Sequence, residues 1–376
     1  MTNMIHIISG DLWAGAEVQV FHTIFNLHRQ YSFFSCVVIV FNDGILSSRL
    51  QEAGIKCIVI DETKNNGLKM LWVMCRWFVG LKPKIVHVHA YKEHIFGKLA
   101  CLLSHSRAKI VRTFHGMSEP PKGLSFFRSL KPKVVHKIEK FFMKNCNIIA
   151  VSKDLEEFLS SSFPNASVTQ IYNGMPVPEM DPSCIVRVRR EYGIDARTFW
   201  IGSVARLEKI KNLEMLINVG NELKKNGISF KISIFGIGSQ KEYLESRIAQ
   251  NDLQNLVRLE GFEKDIMPVL MALDVFALCS FHEGLPMSLL EAMFAETPVV
   301  CTSVGGIKEV VTNNISGCLV PLNDVSAFCK AIIRVKEDIT FRDKLISNAK
   351  KRVQDRFAIQ NTNMKLKKFY NKIISK

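Results

Sequence analysis

The sequence predicts an α/β protein built from two doubly wound domains, each a parallel sheet with helices on both faces. Short apolar runs alternate with amphipathic helical spacers along nearly the whole chain, the signature of parallel strands joined by crossover helices. The alternation halts at a proline-rich connector, Pro176, Pro178 and Pro182, and then begins again, which marks a domain boundary. A chain of 376 residues also exceeds what one hydrophobic core usually supports. The expected domains are 1–178 and 183–355, followed by a basic tail of helical pattern from about Thr340 with no strand after it.

The first set of apolar runs is Ile5–Ser9, Cys36–Phe41, Lys56–Ile60, Ile85–His89, Lys109–His115, Cys146–Ser152 and Val168–Tyr172. A small-residue turn from Ser9 and Gly10 to Gly15 follows the first run and leads into a helix with Val18, Phe21, Ile24, Phe25 and Leu27 on one face. The second set is Phe199–Ala205, Phe230–Phe235, Val257–Glu260, Val275–Leu278, Pro298–Thr302 and Gly317–Val320. In open parallel sheets ligands bind beyond the carboxyl ends of the strands, where the strand order reverses. The turns after these runs are therefore where chemistry is expected, and two such domains facing each other make a cleft.

Composition narrows the classes. At 47% hydrophobic and 23% charged residues the chain is globular. Ten cysteines include no C-x-x-C pair, so they read as buried thiols in a reducing cytosol, neither disulfides nor zinc ligands. The most apolar windows, Tyr31–Phe41 and Leu71–Leu81, are too short to cross a bilayer, and the second contains Arg76. Met1 leads directly into a strand with no room for a signal peptide. The expected location is the cytoplasm.

The net charge of +15 is concentrated: fourteen Lys/Arg face three acids between Lys82 and Lys144. From Gly123 to Lys144 basic residues alternate with Phe126, Phe127, Leu130, Val134, Val135, Ile138, Phe141 and Phe142, the composition of a helix resting on anionic lipid. Pro132 interrupts any continuous helix there. The same residues also fit a core face with solvated lysines, and both readings stand.

One stretch carries two carboxylates at a strand-to-helix turn: Glu283, Gly284, Leu285, Pro286, Met287, Ser288, Leu289, Leu290 and Glu291. Pro286 suits a first helical turn, since its missing N–H has no intrahelical partner to lose. Glu283 then lies in the loop and Glu291 inside the helix, beside free amides and a positive dipole end that favour phosphate. Arg206 and Lys211, five residues apart past another strand, suit a diphosphate. Gly236-x-Gly238 follows a third strand, but Lys241 stands where a dinucleotide fingerprint needs its third glycine, so the match to an NAD site is incomplete. Gly305 and Gly306 make a further turn. His115 ends a strand where an imidazole can donate to a substrate oxygen. His87 and His89 share a strand face without a third ligand at metal spacing, so no metal site is expected.

The ordered set Gly10-x4-Gly15-Ala16-Glu17, His89, His115-Gly116, Ala150-Val151-Ser152, Tyr172-Asn173-Gly174, Arg206-x4-Lys211, Gly236-x-Gly238, Glu283-Gly284-Leu285-Pro286-x3-Leu290-Glu291-Ala292, Pro298-Val299, Gly305-Gly306 and Glu309 resembles family 4 of the retaining glycosyltransferases, with the GT-B fold of two Rossmann-like domains. The resemblance implies transfer of a sugar from a nucleotide-diphosphate sugar, UDP ahead of GDP, to an acceptor such as a lipid-linked saccharide of a bacterial surface polysaccharide. It places the donor on the second domain: Glu291 on the ribose, Arg206 and Lys211 on the diphosphate, Glu283 on the transferred sugar. Amides at Gly15, Gly284, Leu285, Met287, Ser288 and Leu289 would complete the cradle, with a close approach at Gly236. His115 would touch the sugar, and Glu283, His115, Arg206 and Lys211 would form the catalytic set.

The first domain would hold the acceptor, and the last helix, 356–376, would pack back on it. No metal or other cofactor is implied, because two cations can neutralise the leaving diphosphate. Two departures from the family pattern are Ala14-Gly15 in place of a double glycine, and Pro286, which has no N–H to offer. The basic region adds an expectation of peripheral association with the inner membrane face. The alternatives are a nucleotide-sugar 2-epimerase of similar architecture and, outside enzymes, a basic module binding membrane or nucleic acid.

Overall fold

The computed structural model describes residues 2–10, 13–31, 34–116 and 142–375. The first sheet has seven parallel strands, β1 (Thr2–Ile8), β2 (Phe34–Val40), β3 (Lys56–Val59), β4 (Ile85–Val88), β5 (Lys109–Phe114), β6 (Asn147–Ala150) and β7 (Ser167–Gln170), in the order β3-β2-β1-β4-β5-β6-β7. The second has six, β8 (Phe199–Val204), β9 (Phe230–Phe235), β10 (Val257–Gly261), β11 (Val275–Leu278), β12 (Val299–Thr302) and β13 (Cys318–Val320), in the order β10-β9-β8-β11-β12-β13. Each apolar run of the sequence becomes one strand, and both orders are those of a doubly wound nucleotide-binding sheet.

The described helices of the first sheet are α1 (Gly15–Gln30), α2 (Ile45–Glu52), α3 (Gly67–Leu81), α4 (Tyr91–Leu103) and α5 (Lys153–Ser162). Those following Pro176 are α6 (Cys184–Glu191), α7 (Leu213–Lys225), α8 (Lys241–Gln250), α9 (Met267–Ala272), α10 (Met287–Phe294), α11 (Ile307–Val310), α12 (Val325–Glu337), α13 (Ile339–Phe357) and α14 (Ile359–Ile374). Side chains that accept the third amide start several of them: Asn66 for α3, Ser152 for α5, Asp324 for α12 and Asp338 for α13. Each such cap is worth about 1 kcal/mol.

Alternation along β1 shows how both faces are buried. Ile5 and Ile7 join a core with Met70, Met74 and Phe78 of α3, while Met4 and Ile8 join one with Ile24 of α1 and Phe369 and Tyr370 of α14. His6 is on this second face. The second sheet encloses its own core, centred on Ile201, Ile232, Val275 and Val300.

The chain forms two compact units, residues 1–176 with 359–376, and residues 177–358. The basic tail is two helices, separated by the extended residue Ala358. Against the first unit, α14 is fixed by bonds from Ile359 N to Met175 O (2.9 Å) and from Thr362 Oγ1 to Tyr172 O (3.0 Å). A Cβ on Gly174 would lie 2.3 Å from the Thr362 hydroxyl oxygen, so only glycine lets α14 seat there.

All ten cysteines are unpaired and mostly buried, and burial pushes thiols such as Cys36 up to about 12. The basic aromatic stretch from Gly123 lies, up to Phe141, outside the described residues.

Candidate active site

In the second unit the strand order reverses between β8 and β11, and the loops leaving these two neighbours carry the residues of interest. After β8 the chain passes Arg206, makes one 3-10 turn at Lys209–Lys211, and enters α7 through Asn212 in the left-handed region (φ 49°). After β11 it runs through Ser280 and Glu283 to α10. The loops are tied by Phe281 N donating to Ile210 O at 2.8 Å.

Lys211 Nζ lies 2.6 Å from Glu283 Oε1, and the Ser280 hydroxyl donates to the same oxygen at 2.6 Å. Glu283 is only 8% exposed, so the ammonium compensates a carboxylate that is otherwise expensive to bury. The backbone of Glu283 is held as well: its carbonyl accepts from Gly306 N at 3.0 Å. A Cβ on Gly305 would sit 2.2 Å from that carbonyl oxygen, at a φ of +44°. Gly305→Ala is therefore expected to destabilise the second unit by about 1–3 kcal/mol, read as a lowered urea midpoint, and to displace Glu283.

Pro286 immediately precedes α10, with φ −70° and ψ 122°. It is the cap residue and not the first helical one, a shift of one position from the sequence expectation. The first amides of a helix lack intrahelical partners, and here they belong to Met287, Ser288 and Leu289. Gly284 and Leu285, just before the helix, are buried.

Glu291, on α10, has no cation paired with it among the described residues, and burial pushes its carboxyl up to about 7. Two carboxylates eight positions apart thus differ sharply. Glu283 is neutralised by Lys211, whereas Glu291 is half-buried with no cation beside it among the described residues.

Arg206 is half-buried in the loop that carries Lys211. Gly236 and Gly238 follow β9 and pack on that loop: added Cβ atoms would come within 2.0 Å of Ala205 O and 2.5 Å of Leu207 O. The chain's own backbone therefore requires both glycines, which explains a G-x-G that lacks the third glycine of a dinucleotide site.

The first unit holds the other two expected residues. Gly15 is the first residue of the sixteen-residue α1, and His115 follows β5. The structure gathers more histidines around His115 than the sequence suggested. His6 Nδ1 is 3.2 Å from His89 Nε2, and His89 Nδ1 is 3.3 Å from His115 Nε2. His87 bonds Tyr370 and Thr113, each at 2.7 Å. His6, His87 and His89 bring ring nitrogens within 4.8 Å of one another, but both nitrogens of His87 and of His89 already have hydrogen bonds that a cation would have to displace. Sequence reasoning missed His6 and Ser280. The signal for His6 was a polar residue inside an apolar strand; Ser280 carried none, because its partner is set by the fold of the loop.

Comparison with known proteins gives the family. The model for glycosyltransferase family 4 matches residues 13–177, and that for glycosyl transferases group 1 matches residues 186–352. The chain belongs to glycosyltransferase family 4. Among its relatives is the Escherichia coli UDP-Gal:alpha-D-GlcNAc-diphosphoundecaprenol alpha-1,3-galactosyltransferase, 26% identical over 302 residues, which cover 77% of this chain and 75% of that one. The capsular polysaccharide biosynthesis glycosyltransferase CapM of Staphylococcus aureus is 25% identical over 316 residues, 81% and 80% of the two chains. Anabaena HepE, crystallised with UDP and glucose, superposes with a TM-score of 0.84 at 20% identity, over 99% of this chain and all of that one. That last likeness is one of fold, and it gives the glycosyltransferase the GT-B architecture.

Proposed function

We propose that this glycosyltransferase moves a sugar, with retention of anomeric configuration, from a UDP-sugar to a lipid-linked saccharide during assembly of a bacterial surface polysaccharide. The observation that carries the reading is the buried Lys211–Glu283 pair at the β8/β11 reversal, next to the first amides of α10 and the unpaired Glu291. Glu291 accepts from ribose hydroxyls, whose donation favours its ionised form. Arg206 and Lys211 neutralise the diphosphate as it leaves, the work a divalent ion does elsewhere, so transfer needs no metal. Glu283, once Lys211 turns to phosphate, accepts from sugar hydroxyls and stabilises positive charge at the anomeric carbon. His115 donates to an oxygen of the transferred sugar. The nucleotide choice is supported by the UDP in the names of a relative and a structural neighbour.

Thermal shift with a panel of nucleoside diphosphates and their sugars tests this. UDP at about 100 times its Kd stabilises by about 2.7 kcal/mol, a shift of several degrees. A response to GDP instead would move the assignment to GDP-sugars, and no response to any diphosphate would end it. The anomeric coupling of the product by proton NMR decides retention.

A lipid-linked acceptor requires approach to a membrane, and α3 offers the surface. No described helix is long and apolar enough to cross one. However, Leu68 (81% exposed), Trp72 (58%) and Val79 (58%) share a stripe of α3, beside exposed Leu102 and Leu103 of α4 and the cations Lys69, Arg76, Lys82 and Lys84. Arg76 packs over Trp72 at 5.0 Å. Apolar anchors ringed by cations suit anionic lipid. Co-flotation with phosphatidylglycerol vesicles is expected at low salt and is expected to fall about tenfold in Leu68→Ser/Trp72→Ser. Equal flotation of both proteins would remove this surface from the reading.

A further inference from the structure

Three imidazoles of the first unit are joined end to end. His6 on β1, His89 after β4 and His115 after β5 come from three adjacent strands. At each link the ring centroids are 5.5 Å apart while the facing nitrogens are 3.2 and 3.3 Å apart. That difference is close to two ring radii, so nitrogen meets nitrogen along the line of centres. The ring planes are inclined by only 14° and 28°. These are in-plane N–H···N bonds. The ring of His87, anchored by Tyr370 and Thr113, lies against His89 at 4.5 Å and fixes its plane.

Burial keeps the row neutral, holding His6 down to about 3, His115 to about 4 and His89 well below its usual value. A neutral imidazole has one N–H and one lone pair. Each link uses one of each, so all three rings must carry the proton on the same kind of nitrogen. With every proton on Nδ1, the row ends in a donor at His115 Nδ1 and a bare acceptor at His6 Nε2. With every proton on Nε2, His6 aims an N–H into the core and His115 Nδ1 becomes an acceptor. Both end nitrogens are buried without a partner among the described residues. His6 is 1% exposed and His115 is only half-buried. Because an orphaned N–H is the costlier group to bury, it belongs at the more open end.

We propose that this row holds His115 in the Nδ1–H form, so that it meets its ligand as a hydrogen-bond donor, with His89 as the positioning residue and His6 as the anchor. A free histidine prefers the Nε2–H form and would present a lone pair there. The common proton sense follows from the geometry and its direction from the burial of the two ends; its effect on transfer rests on the reading of His115 as a sugar contact.

Nitrogen-15 NMR of the histidine-labelled full chain without ligand tests the tautomer with no substitution. His6, His89 and His115 are each expected to show a pyrrole-type Nδ1 and a pyridine-type Nε2. A pyridine-type Nδ1 on His115 overturns the proposal. In His89→Leu, His115 is expected to move to the Nε2–H form, and kcat to fall about tenfold or more with UDP affinity unchanged by calorimetry. A folded His89→Leu protein whose His115 keeps its tautomer overturns the positioning role. A switched tautomer with unchanged kcat overturns the donor role of His115. Failure of UDP to bind either protein strikes the functional reading and leaves the tautomer result standing.

Discussion

Lys211→Ala is expected to lower kcat by about a hundred- to a thousandfold while also destabilising the second unit. On the proposed function, the activity loss comes from removing a cation that neutralises charge on the leaving diphosphate. The stability loss has a separate origin. Lys211 Nζ is 2.6 Å from Glu283 Oε1, and the two side chains are only 17% and 9% exposed. Deleting the ammonium strands a buried carboxylate, at a cost of about 3–5 kcal/mol. The double variant Lys211→Ala/Glu283→Gln separates the effects: urea unfolding should recover most of the lost stability, and turnover should not recover. Recovery of turnover in the double variant would mean that neither the Lys211 ammonium nor the Glu283 carboxylate takes part in transfer.

Glu291→Gln is expected to raise the stability of the ligand-free enzyme above pH 7 while weakening UDP binding by about ten- to a hundredfold. Burial raises the carboxyl to about 7 in the folded protein, above the usual value near 4.3 for an unfolded chain. The folded state therefore binds the proton more tightly. Stability is greatest below the unfolded pKa and is lost as pH rises from about 4.3 to about 7. Glutamine removes that penalty, so its gain is absent near pH 4 and complete above pH 7, with a ceiling of about 4 kcal/mol. In the proposed role of Glu291, ribose hydroxyls donate to the ionised form, so UDP affinity of the wild-type enzyme should rise with pH until about 7, with release of a proton on binding. Calorimetry in buffers of different ionisation enthalpy reads that proton. Equal UDP affinity in both proteins, with no proton released, would take Glu291 out of the nucleotide site.

Much of the fold was legible because the apolar runs of the central strands, such as β4 and β11, are buried on both faces and need no distant partner to announce them. The roles were less so. Lys211 and Glu283 were named from residue type and position after a strand, but they are 72 residues apart, and their pairing depends on β8 and β11 being neighbours. The exposed stripe of α3 overlaps an apolar window that the sequence showed only to be too short to span a bilayer. Its outward orientation depends on which residues, Met70, Met74 and Phe78, the sheet claims for its core.

By itself the sequence determined two parallel α/β sheets, the loops that bear charge and glycine, and the glycosyltransferase family. All of these follow from local periodicity and from motifs read within a few residues. The tertiary structure alone decided that Lys211 neutralises Glu283 while Glu291 has no cation beside it among the described residues, and that three histidines meet nitrogen to nitrogen. These depend on strand order and on how closely neighbours exclude water, and a side chain's charge and tautomer answer to that surrounding more than to the residues beside it in the chain.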